Sequence, residues 1–85
     1  MKKTVTADEI ERLIARAEVR VDTVMRKCTV VTVQLENGFV ITESSACVDP
    51  ANYDEAMGKE ICLEKIKNKL WELEGYCLQK QLAGA

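Results

Sequence analysis

Between Ser44 and Asp54 the chain reads Ser-Ser-Ala-Cys-Val-Asp-Pro-Ala-Asn-Tyr-Asp, its one concentration of short hydrogen-bonding side chains. Ser44, Ser45, Asp49, Asn52 and Tyr53 there could hold a polar or anionic ligand, because free N–H groups at a helix N-terminus favour negative charge. The same side chains suit a plainer task, which is to cap the following helix and close the turn before it. Cys47 carries a similar pair of readings. Near a helix start its thiol would ionise readily and react; buried, it would behave as a small inert hydrophobe.

Little else in the chain could do chemistry. There is no histidine, so the commonest general base and metal ligand is missing. No phosphate loop, nucleophile elbow or metal-binding helix motif occurs. Cys28, Cys47, Cys62 and Cys77 are widely spaced, with no C-x-x-C pair. In a reducing cytoplasm they are expected as free thiols packed as small hydrophobes rather than as a zinc site. Acids are numerous but interleaved with lysines on helix faces, where Glu55 with Lys59 and Glu64 with Lys67 read as ordinary surface pairs. The chain is therefore expected not to be an enzyme and to need no cofactor or metal.

Twelve basic and fourteen acidic residues give a net charge of −2. Their signs alternate along the chain, which leaves no one-sided basic surface for nucleic acid. No apolar run approaches the roughly 20 residues of a membrane span. Met1-Lys2-Lys3 has no apolar segment behind it, so no signal peptide is expected and a cytoplasmic setting is.

The elements that must carry these groups are legible in part. Eighty-five residues make one domain, 1–85. Thr6-Ala7-Asp8-Glu9 reads as a capping box, and Ile10, Leu13, Ile14 and Ala17 form one helical stripe. The spacing predicts a helix over 6–21, fraying near Val21 where β-branched residues accumulate, and a turn around 25–27. Cys28 to Leu35 is β-prone, and Asn37-Gly38 between two such runs signals a hairpin, with strands at 28–35 and 39–45. A two-residue type I′ turn would pair Leu35 with Val40, Val33 with Thr42 and Val31 with Ser44. Gln34, Ile41, Thr32, Glu43, Val30 and Ser45 would then lie on the other face. Asp49-Pro50 and Asn52 with Glu55 offer caps to a helix over 53–79. There Leu63, Ile66, Leu70, Leu73 and Cys77 share a face, and Trp71 and Tyr76 read as core or subunit-interface residues. Gly58 and Gly75 inside this helix each ask for a reason, such as the close approach of another backbone. The fold class is α+β: helix, hairpin, long helix.

Aromatic residues number only four, so the core rests on Val, Ile, Leu and Met. So small a core, with a hairpin that alone would leave two open edges, predicts completion by a homodimer or higher homo-oligomer.

Asn37-Gly38-Phe39, Glu43 through Asp54, Met57-Gly58 and Trp71-Glu72-Leu73-Glu74-Gly75-Tyr76 together resemble a family of small bacteriophage and prophage proteins of unassigned function, the group named after phage gene products forty-nine and sixty-six. The resemblance runs from about Glu9 to Leu82. It implies a phage origin and the cytoplasm of a bacterial host, and it brings no catalytic residues. Three functions follow as expectations. The first is an accessory protein that binds a host protein. The second is an oligomeric sponge for a small nucleotide signal in host defence, with Arg12, Arg16, Arg20 and Arg26 meeting phosphates. The third is a part of the phage particle.

Overall fold

A computed structural model describes residues 2–84. The elements run α1 (Ala7–Ala15), β1 (Glu18–Val24), β2 (Cys28–Gln34), β3 (Val40–Ala46), a 3₁₀ turn (Pro50–Asn52) and α2 (Glu55–Leu82). The three strands form one antiparallel sheet in the order β1-β2-β3, with α2 laid across β2 and β3 and α1 against α2.

Thr6 caps α1 as expected, its Oγ1 accepting from Glu9 N at 3.3 Å. The Glu9 carboxylate does not reach back to the cap's N–H; it accepts from the Thr6 hydroxyl and from Lys2. Those donors, the lysine first, hold its pKa below the ordinary carboxylate value.

The helix expected over 6–21 stops at Ala15. From Glu18 onward charged and apolar residues alternate (Glu18, Val19, Arg20, Val21, Asp22), a period of two that fits a strand and not a helix face. β1 pairs with β2 along its whole length, Val19 opposite Val33 and Val21 opposite Val31. The hairpin therefore has a third strand from its own chain, and of the two edges expected to need a partner one is covered internally.

The hairpin between β2 and β3 forms where Asn37-Gly38 predicts it, but one residue out of the expected register. Gly38 N donates to Leu35 O and Leu35 N to Phe39 O, both at 2.9 Å, and only Gly38 of the turn has positive φ, at 92°. This is a three-residue loop, a type I turn closed by a left-handed glycine, and not a two-residue type I′ turn. Val33 thus pairs with Ile41 and Val31 with Glu43. A one-residue slip exchanges faces, so Ile41 joins the core while Val40 is half exposed.

α2 begins two residues later than 53 and runs three beyond 79, through Gly75 without a break. Asp54, not Asn52, caps it, its carboxylate accepting from Met57 N at 3.2 Å. The buried residues of α2 are Leu78 and the row Gly58, Cys62, Ile66 and Leu70, spaced by four. The row meets Val31, Val33, Leu35, Ile41 and Ile10 in one core. Leu73, Trp71, Tyr76 and Cys77, expected to face inward or an interface, are exposed in the single chain. Burying an aliphatic side chain of this kind contributes ~1.5–3 kcal/mol. The helix pairs expected at Glu55–Lys59 and Glu64–Lys67 are replaced by tertiary ones: Glu55 takes Thr23 Oγ1 and Lys67 takes Glu11 of α1 at 2.9 Å.

Candidate functional site

β2 has two ends, and the residues with unspent potential gather at the one where β1 turns into it. In that turn Met25 and Arg26 have φ of 55° and 63°, with Lys27 N donating to Val24 O at 3.3 Å. Left-handed backbone costs a non-glycine residue about 1–2 kcal/mol. Met25 is nonetheless 80 % exposed, so its side chain returns nothing to the core. The loop after β3 is stitched to this turn: Cys47 N donates to Lys27 O at 3.0 Å and Lys27 Nζ to Val48 O at 3.2 Å. Val48, 93 % exposed, is thereby tied to Lys27, the residue that follows Arg26.

Under this tip runs a line of hydroxyls. Thr29 Oγ1 lies 2.7 Å from Tyr53 Oη, Tyr53 Oη lies 2.9 Å from Thr23 Oγ1, and Thr23 Oγ1 donates to Glu55 Oε2 at 2.5 Å. A carboxylate can only accept, so the protons point one way: Thr29 to Tyr53, Tyr53 to Thr23, Thr23 to Glu55. Thr29 is the one buried polar residue among those described, and this line is what satisfies it. Gly58 packs directly over it. A Cβ on Gly58 would fall 2.0 Å from Thr29 Oγ1, so the close approach that excludes a side chain there comes from a threonine side chain within the chain, not from another backbone.

The five residues expected to form a site divide. Ser45, Asn52 and Tyr53 line one cavity of about 120 Å³, together with Ala46, Cys47, Asp54, Met57, Gly58 and Ile61. Ser44 lies outside it, its carbonyl accepting from Lys65 Nζ at 2.8 Å. Asp49 is spent on the 3₁₀ turn, accepting from Ala51 N at 2.9 Å. Thr23, Thr29 and Glu55 belong to the same network and were not legible as such, because each sits in a different element. The turn at 25–27 was legible; its left-handed strain was not, since Met and Arg carry no signal for it.

Cys47 is half-buried, its Sγ donating to Asp49 O at 3.2 Å. Of the four thiols only Cys62 is fully buried; Cys28 is half-buried and Cys77 exposed. Burial pushes the Cys62 thiol pKa above its ordinary value, which keeps it protonated. Among the described residues no three Cys, Asp or Glu side chains converge as a metal set, and no helix is long and apolar enough to cross a membrane.

At the other end of β2, a shallow groove of about 340 Å³ runs between β3 and α2, lined by Phe39, Val40, Ile41, Thr42, Lys69, Glu72 and Leu73. Across it Lys69 Nζ meets Glu43 at 2.6 Å.

No curated protein and no solved structure matches the chain. The profile of one family, described as Phage protein (N4 Gp49/phage Sf6 gene 66) family, matches residues 5–82. That span takes in both hairpin turns, the Ser44–Asp54 loop and the whole of α2, and the chain is accordingly a member of this phage protein family.

Proposed function

We propose that the protein is a non-catalytic phage accessory protein that binds a host protein in the infected cell, through the tip formed by Met25, Arg26 and Val48. The observation that carries this is the pair of left-handed, non-glycine residues at 25 and 26, with an exposed methionine in the turn and an exposed valine in the loop bonded to Lys27. Backbone strain with no return in packing collects where a surface is shaped for something outside the fold. Methionine suits such a surface because its flexible side chain adapts to a partner. The absence of histidine from the sequence and the consumption of Asp49, Tyr53, Asp54 and Glu55 in structural hydrogen bonds support binding over catalysis.

The test is affinity capture from host lysate with the natural chain and with Val48→Asp and Met25→Asn/Arg26→Gly. Each substitution is at an exposed position, so circular dichroism and melting should report an intact fold. A captured protein lost with both variants supports the reading; capture unchanged by either sinks it.

The nucleotide-sponge reading draws on Ser45, Asn52 and Tyr53 sharing a cavity. In a single chain that cavity is smaller than the roughly 300 Å³ at which small-molecule sites begin. The four arginines also do not converge. Arg16 reaches Glu36 at the far turn and Arg20 pairs with Asp22, which leaves Arg26 nearest. Melting with a panel of signalling nucleotides separates the readings. A ligand at about 100 times its dissociation constant adds roughly 2.7 kcal/mol, a rise of about ten degrees or more for so small a domain.

A further inference from the structure

We propose that β3 is the seam of a homodimer, in which a second copy of this chain adds its own β3 antiparallel to the first. The two sheet edges differ in a way that selects β3. β1 carries Glu18, Arg20 and Asp22, the kind of charge that keeps an edge from pairing. β3 carries one charge, Glu43; its side chain is only 18 % exposed and is neutralised by Lys69. β3 has no proline, and its residues pair one-to-one with β2 from Val40 to Ala46 without a bulge.

The register follows from the backbone. Leu35 N bonds Phe39 O, so residues 39, 41, 43 and 45 bond inward to β2, and Val40, Thr42, Ser44 and Ala46 turn their N–H and C=O outward. Outward residues must face outward residues, which allows a two-fold axis at 42, 43 or 44. An axis at Glu43 sets two carboxylates opposite each other, and one at Ser44 leaves Val40 opposite residue 48, beyond the partner's β3. An axis at Thr42 sets Thr42 against the partner's Thr42, Val40 against the partner's Ser44, and Glu43 against the partner's Ile41.

The helices agree independently. α2 straddles β2 and β3, so with strands ~4.8 Å apart the two copies of α2 come to lie about 10 Å apart on one face, within the range of packed helices. They run antiparallel. The flank of α2 turned to the edge is marked by Lys65 on Ser44 O, Lys69 on Glu43 and Glu72 in the groove beside Val40 and Thr42, with Ile61 and Tyr76 in line at either end. An axis between Asn68 and Lys69 sets Lys65 against the partner's Glu72 and Ile61 against the partner's Tyr76. Ile61 and Tyr76 are 42 % and 67 % exposed in one chain. Symmetry repeats each contact. Lys65 gives up the Ser44 carbonyl, which the new strand takes, and gains a carboxylate. Phe39 then falls opposite the partner's Ser45, so the groove of one copy opens into the cavity of the other.

The test of this seam is the mass of the particle, which does not depend on host binding. Sedimentation equilibrium of the full chain should give twice the chain mass in the micromolar range. Glu72→Lys, at an exposed position, should weaken the dimer roughly tenfold by turning two attractions into repulsions. Lys65→Glu with Glu72→Lys should restore it to within about threefold, which a generally damaged surface would not do. Thr42→Pro, tolerated on an edge strand but unable to pair across it, should give the single-chain mass. A single-chain mass for the natural protein at about 100 μM overturns the proposal. So does a dimer that neither Glu72→Lys nor Thr42→Pro weakens.

Discussion

The two turns that bracket β2 solve the same problem with different residues. At 36–38 the chain places glycine at its one left-handed position, φ 92°, and Asn37 Oδ1 accepts from Phe39 N at 3.0 Å. At 25–26 methionine and arginine take left-handed backbone with no comparable return. The glycines of α2 repeat the contrast. Gly58 lies against Thr29 with no room for a methyl group, whereas a Cβ on Gly75 would meet nothing within 4 Å. One end of the molecule is thus tightly specified inside and strained outside. The other is locally relaxed and leaves apolar surface bare. Residue type alone says neither; a glycine is required or merely permitted according to what stands over it.

The largest effect expected from this difference is at Gly58. Gly58→Ala should cost about 3 kcal/mol through overpacking against Thr29, lowering the melting temperature by roughly 15 °C. Thr29→Ala in the same chain should recover part of that loss, because it removes the atom that would lie 2.0 Å away. An unchanged melting temperature for Gly58→Ala would mean the helix and sheet are not so closely set.

Met25→Asn with Arg26→Gly should act in the opposite direction, stabilising by about 2 kcal/mol as the strain is relieved, while partner capture falls. Stability gained with capture retained would separate the strain from function. Gly75→Ala should raise stability by about 0.5–1 kcal/mol, the ordinary helix preference of alanine. Opposite signs for the two glycine substitutions, read in the same melt, test the contrast directly.

Thiol labelling should proceed at Cys77 first and Cys62 last. Because burial raises the folded pKa of Cys62, the folded state holds its proton more tightly than the unfolded. That contribution is fully present below the ordinary value near 9.0 and is lost as pH rises through the folded value. Cys62→Ala should remove this alkaline slope from the melting profile.

The smallest effect belongs to Lys67→Met, expected to cost a few tenths of a kcal/mol, because its Glu11 partner is 61 % exposed. The hydrogen bond to Glu11 raises the Lys67 pKa above 10.5. The pair's contribution therefore holds below that value and disappears as pH rises through the raised one.

Much of the fold was written in local pattern. The Thr6 cap, the hairpin at Asn37-Gly38, the turn at 25–27 and the long second helix each depend on a few neighbouring residues, and each is present. The alternation from Glu18 to Asp22 was equally available as a strand signal. It was outweighed by the helical stripe before it, since Val19 and Val21 extend a helix as readily as they open a strand until β2 stands alongside. Ser45, Asn52 and Tyr53 were legible as a group because one loop holds them. Thr23, Thr29 and Glu55 were not, because three separate elements bring them to Tyr53.

By itself the sequence determined the types of α1, β2, β3 and α2, the absence of histidine chemistry and the positions of the turns, since caps, glycine at positive φ and hydrophobic period act over a few residues. The tertiary structure alone decided that β1 is a strand and that α1 ends at Ala15, for a strand is stabilised only by the neighbour it bonds. It decided the register that buries Ile41, because one residue of turn geometry exchanges every side chain between faces. It also decided that Gly58 is obligatory, since only the packed helix brings Thr29 over it.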